Sequence, residues 1–213
     1  MKKLAGLYLV IDPSQAHESL LKKLHSALKG GVDIVQIWDH WPNDQPRGAK
    51  LEFIQRAKEL TKDFQVPLLM NQDWSLALET GLDGVHFDQL PADFQTIQPR
   101  LKDQYIGLTV TNNMEVVQLA EQNSLSYISF CSVFPSPSVQ SCDIVQPDSI
   151  KNAKEISNMP IFLSGGINQE NFGQLKELPF NGIAVISGIL NEADPEAAAK
   201  KYKAKLQDLD YSD

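Results

Sequence analysis

Apolar residues in this chain fall into short continuous runs, and between the runs they recur every three or four positions. The runs cover residues 4–11, 32–38, 66–71, 84–87, 105–110, 127–133, 160–164 and 182–187. Apolar character sustained through a run, rather than alternating with polar residues, is the pattern of parallel strands covered on both faces. The intervening segments 19–28, 51–64, 74–80, 114–123 and 196–209 carry helical spacing. In the first it falls on Leu20, Leu21, Leu24 and Leu28, and in the second on Leu51, Ile54, Ala57 and Leu60. Asn113 and Asn168 stand where helix N-caps are expected, and Gly30 and Gly81 where helices end. Eight strands alternating with helices predict an α/β fold, a (β/α)8 TIM barrel that takes residues 1–213 as a single domain. An open doubly wound sheet would need a glycine fingerprint after the first strand, where Asp12-Pro13-Ser14 stands instead.

Charge and composition narrow the class. With 27 acidic and 19 basic residues the formal charge is −8, which argues against a nucleic-acid partner. Lys200, Lys201, Lys203 and Lys205 cluster, but at helical spacing among acids, as on a solvated helix face. No apolar run nears the ~20 residues that cross a bilayer. Met1-Lys2-Lys3 and the apolar run after it have the order of a secretion signal. That run is short, however, and ends in Asp12-Pro13 without a small-residue cleavage site. Cys131 and Cys142 are too few for a disulfide framework and read as thiols of a reducing cytoplasm. The expected partner is therefore a small molecule, with no nucleic acid and no membrane, and a homo-oligomer is left open.

In a barrel the chemistry sits at the C-terminal ends of the strands. Those ends offer Gln36, Trp38, Asp39 and His40 after the second run, Asn71, Gln72 and Asp73 after the third, and His86 and Asp88 after the fourth. Thr109 and Thr111 follow at the fifth, and Cys131 and Ser132 at the sixth. Gly165-Gly166 after the seventh run and Ser187-Gly188 after the eighth let backbone N–H groups approach an anion, so a phosphate is expected there. Trp38, Trp41 and Trp74 fall on two neighbouring loops and suggest a wall for a ring-shaped ligand. Asp73, His40 and His86 are the candidate acid–base groups, with Asp39 and Asp88 beside them as further oxygen donors. Residues 134–147, rich in Ser and Pro, form a long connection of the kind that serves as a lid or stays unstructured.

LYLVID, GGVDIVQI, VPLLMN, GLDGVHFDQ, YISFCSVFPSPS, MPIFLSGGI and GIAVISGI follow one another along the chain. In this order and spacing they resemble the thiamine phosphate synthase family and its close relative, the thiazole tautomerase, over essentially the whole length. The resemblance implies thiamine biosynthesis: a hydroxymethylpyrimidine pyrophosphate joined to a thiazole phosphate, with pyrophosphate released with the help of Mg²⁺. It implies that Gly165, Gly166, Ile186 and Ser187 hold the thiazole phosphate. Gln36 and Asn71 match the pyrimidine side, where amides pair with an aminopyrimidine edge.

Other family positions are substituted. The family's Q-x-R-E-K reads Gln36-Ile37-Trp38-Asp39-His40, and N-D-R reads Asn71-Gln72-Asp73. A second metal-binding Asp falls at Pro91, Ser-x-His reads Thr109-Val110-Thr111, and P-T-x-T-K reads Pro135-Ser136-Pro137-Ser138-Val139. Departing pyrophosphate needs positive groups that act more strongly as its charge develops, and removing one such group costs ~10²–10³ in rate. The expected ligand is a phosphorylated thiazole or thiamine phosphate, with Mg²⁺ as the implied cation and its ligands undetermined; a one-residue shift in the third loop would return Asp73 to a metal role. Two alternatives stand beside it: a non-catalytic barrel that binds a phosphorylated ligand, and an isomerase using His40 or His86 as base.

Overall fold

A computed structural model describes residues 2–135 and 143–209. Ser136, Pro137, Ser138, Val139 and Cys142, with half of the expected lid, lie outside the described residues. The strands fall within the predicted runs: β1 (Gly6–Ile11), β2 (Ile34–Ile37), β3 (Leu68–Asn71), β4 (Gly84–Phe87), β5 (Tyr105–Val110), β6 (Tyr127–Cys131), β7 (Ile161–Ser164) and β8 (Gly182–Val185). Each pairs in parallel with its sequence neighbours, and β1 pairs with β8 through Gly6–Gly182 to Leu9–Val185, closing the barrel. The helices are α1 (His17–Lys29), α2 (Arg47–Asp63), α3 (Trp74–Thr80), α4 (Phe94–Ile97), α5 (Met114–Gln122), α6 (Pro147–Ile156), α7 (Ser187–Leu190) and α8 (Pro195–Asp208). After β7 the chain makes a 3₁₀ turn (Phe172–Leu175) in place of an α-helix. Asn168 accepts from the N–H groups of Glu170 and Asn171, so it turns the chain ahead of that element instead of capping a helix. Among the described residues no helix is long and apolar enough to cross a membrane.

The sustained apolar character of the strands has two destinations. Leu7, Leu9 and Ile11 of β1, Val85 and Phe87 of β4, and Ile128 and Phe130 of β6 join the main core against the helices. The alternate positions fill the barrel, where Tyr8, Ile34, Leu69, Tyr127 and Phe162 form a second cluster. Space for the Tyr127 ring comes from Gly107 on the paired strand β5, where an added Cβ would lie 2.1 Å from the ring. Toward the C-terminal ends the inward positions become polar: Gln36, Asn71, His86, Thr109, Ser129 and Ser164. Strand periodicity thus brings the polar groups of separate strands to one end of the barrel.

Candidate functional site at the barrel mouth

A cavity of about 1190 Å³ opens over this polar layer. Of the sequence-predicted residues, Gln36, Trp38, Asn71, His86 and Thr109 line it. Gly165, Gly166, Ile186 and Ser187 line it as well. His40 and Asp73 are not among the lining residues. His40 is 55% exposed, and its Nδ1 lies 3.1 Å from Asp12 Oδ1. The Asp73 carboxylate accepts from the Leu76 N–H at 2.8 Å and caps α3. Of the three tryptophans only Trp38 lines the cavity. Trp41 packs edge-on against Phe53, and Trp74 lies beneath the Arg100 guanidinium.

Beneath the cavity a chain of hydrogen bonds links Gln36, His86 and Thr109 of this layer through two tyrosines. The Tyr8 hydroxyl donates to Gln36 Oε1 at 2.6 Å and lies 2.8 Å from the Tyr127 hydroxyl. Tyr127 in turn is 3.0 Å from His86 Nδ1, whose ring stacks on the phenol, and His86 Nε2 is 2.9 Å from Thr109 Oγ1. Burial pushes His86 down to about 4, so the imidazole is neutral at pH 7. Burial also raises both tyrosines, which stay protonated. Tyr8 and Tyr127 escape a sequence reading because they sit inside apolar strand runs. The available signal is that a phenol enclosed in a barrel must find a hydrogen-bond partner.

The β3 and β4 ends are tied by amides. Asn71 Nδ2 donates to Asp88 Oδ1 at 3.1 Å and to the His86 carbonyl, while its Oδ1 accepts from the Asp39 N–H at 3.3 Å. Gln72, in the left-handed region at φ +61°, takes the Asp88 N–H on its side-chain oxygen at 3.2 Å. Desolvation raises Asp88, partly offset by the Asn71 bond. Asp39 is raised by desolvation and then by repulsion from Asp73. No lysine or arginine is among the residues lining the cavity, and residues 136–142 contain neither a basic nor an acidic side chain.

Magnesium needs several convergent oxygen ligands, at least one or two of them carboxylates. Among the described residues no three His, Cys, Asp or Glu side chains converge. At the position matching a metal carboxylate, the Gln72 oxygen is already engaged by Asp88 N–H, and Asp73 is engaged at the helix cap. Among the described residues, then, no preformed three-ligand magnesium centre is assembled.

At the far end of the cavity Gly165 (φ +88°) and Gly166 (φ +66°) turn the chain out of β7. Their carbonyls are taken by the Phe134 N–H and by Asn171 Nδ2. Ser187 opens α7, whose first N–H groups have no partner inside the helix.

A family model for thiamine monophosphate synthase matches residues 7–189. The thiamine-phosphate synthase of Thermoplasma acidophilum is 29% identical over 96% of this chain and 94% of that protein. That of Vibrio campbellii is 32% identical over 91% of this chain and 94% of its own length. In solved structures, a thiamine phosphate pyrophosphorylase from Pyrococcus furiosus superposes with a TM-score of 0.81, covering 96% of each chain at 21% identity, a likeness of fold.

Proposed function

The chain belongs to the thiamine monophosphate synthase family, and we propose that its mouth binds a phosphorylated thiazole or thiamine phosphate within thiamine biosynthesis, without the family's pyrophosphate-releasing power. One observation carries this reading: a single cavity joins the Gly165–Gly166 and Ser187 turns to Gln36, Asn71 and Trp38. The phosphate rests against the N–H groups of those turns, and Trp38 offers a flat apolar face to the ring. What the wall lacks is equally specific. Charge building on a departing pyrophosphate meets Asp88 and Asp143 and no cationic side chain among the lining residues.

His40 does not favour the isomerase reading, because it stands outside the cavity lining. His86 does reach the cavity, but both its ring nitrogens are already hydrogen-bonded to Tyr127 and Thr109. The test is thiamine phosphate formation from hydroxymethylpyrimidine pyrophosphate and thiazole phosphate, with Mg²⁺ and after chelation, beside the Vibrio campbellii synthase. The expected rate is lower by at least ~10²–10³, the cost of one missing electrostatic group. A comparable rate that vanishes on chelation would sink the proposal and make Asp73 the first residue to mutate.

A further inference from the structure

Gln36 on β2 and Thr109 on β5 are joined beneath the cavity by an unbroken chain of hydrogen bonds through Tyr8, Tyr127 and His86. Each hydroxyl in it has a single proton. The Tyr8 proton goes to Gln36 Oε1, so the bond between the two phenols must be donated by Tyr127. With that proton used, Tyr127 can only accept from His86, which must carry its proton on Nδ1. A neutral ring then has a bare Nε2, and Thr109 must donate to it.

We propose that Tyr8, Tyr127 and His86 act as a polarity relay that makes the two sides of the mouth read a ligand jointly. With Oε1 committed inward, Gln36 presents its Nε2 donors to the cavity. Thr109, its proton committed to His86, presents only lone pairs. Taking the mouth as the ligand site, as above, the relay selects a planar heteroaromatic ring with an acceptor toward β2 and a donor toward β5. The opposite pattern requires every link to reverse together, with the Gln36 amide flipped and His86 protonated on Nε2. A partial reversal leaves a buried polar group unpaired, which suppresses it by roughly tenfold or more. The three relay residues are positioning residues: they set which atoms Gln36 and Thr109 show.

¹⁵N NMR of the His86 ring at pH 7, on the full chain without ligand, tests this. The native protein is expected to show the Nδ1–H tautomer. Tyr8→Phe, at a residue with no hydrogen bond to His86, is expected to convert it to Nε2–H. Tyr127 then has no phenol to donate to, and its proton turns to Nδ1. The edge-on packing of ring 8 against Tyr127 and Phe162 survives this change. A native Nε2–H tautomer, or one unchanged in Tyr8→Phe, overturns the relay; the native spectrum decides alone if the variant does not fold. Because no ligand is present, failure here leaves the phosphate reading intact. Failure of thiamine phosphate to bind would remove that reading without changing the tautomer.

Discussion

At the scale of single residues, two side chains with chemical potential are held by structural duties. His86 is buried and pushed down to about 4 from its ordinary 6.5. Below pH 6.5 the unfolded chain takes up a proton that the folded chain refuses. Stability from this group is therefore complete above about 6.5 and declines as the pH falls toward 4, by up to ~3 kcal/mol. Urea unfolding at pH 7 and pH 4.5 should show that decline, and His86→Gln should reduce it. Identical pH dependence in the two proteins would contradict the assignment. Asp73, a candidate acid by sequence, caps α3 through the Leu76 N–H. Asp73→Ala should lower stability by ~1 kcal/mol and Asp73→Asn by much less, read as shifts in denaturation midpoint. An Asp directly before a helix carries the same letter whether it caps or catalyses, and only the direction of its carboxylate separates the two.

At the scale of elements, the turn after β7 depends on the start of the loop after β6. A Cβ at Gly166 would lie 2.6 Å from the Pro135 carbonyl and 2.7 Å from that of Phe134, at a φ of +66° that side chains resist. Gly166→Ala should therefore displace both segments and weaken thiamine phosphate binding at least tenfold, measured by calorimetry. Unchanged affinity would place the phosphate elsewhere. The elements themselves were legible because their signals are local. Gly84–Phe87 and Tyr105–Val110 are bounded as their apolar runs predict, and Trp74–Thr80 matches its helical segment. Asn113 caps α5 as its position implies, through the Glu115 N–H. The 3₁₀ turn at Phe172–Leu175 was not legible, since four residues are too few to show a period.

At the scale of the molecule, eight short strands explain why the candidate site was half visible. Positions at strand ends are fixed by sequence, so Gln36, Asn71, His86 and Thr109 emerged with the glycine turns. Contacts across the barrel are not: Tyr8 and Tyr127 are 119 positions apart and meet only once β1 pairs with β8. Closure also decides which rim residues face inward, bringing Trp38 to the cavity and leaving Trp41 and Trp74 in packing roles. At this scale the proposal is of a phosphate-holding mouth that works without a magnesium centre. Its most direct test is calorimetric titration of the native chain with thiamine phosphate, with Mg²⁺ and with chelator, beside Gly166→Ala. Saturable binding that ignores Mg²⁺ and weakens in Gly166→Ala is the predicted result. No binding, or binding only when Mg²⁺ is present, would contradict it.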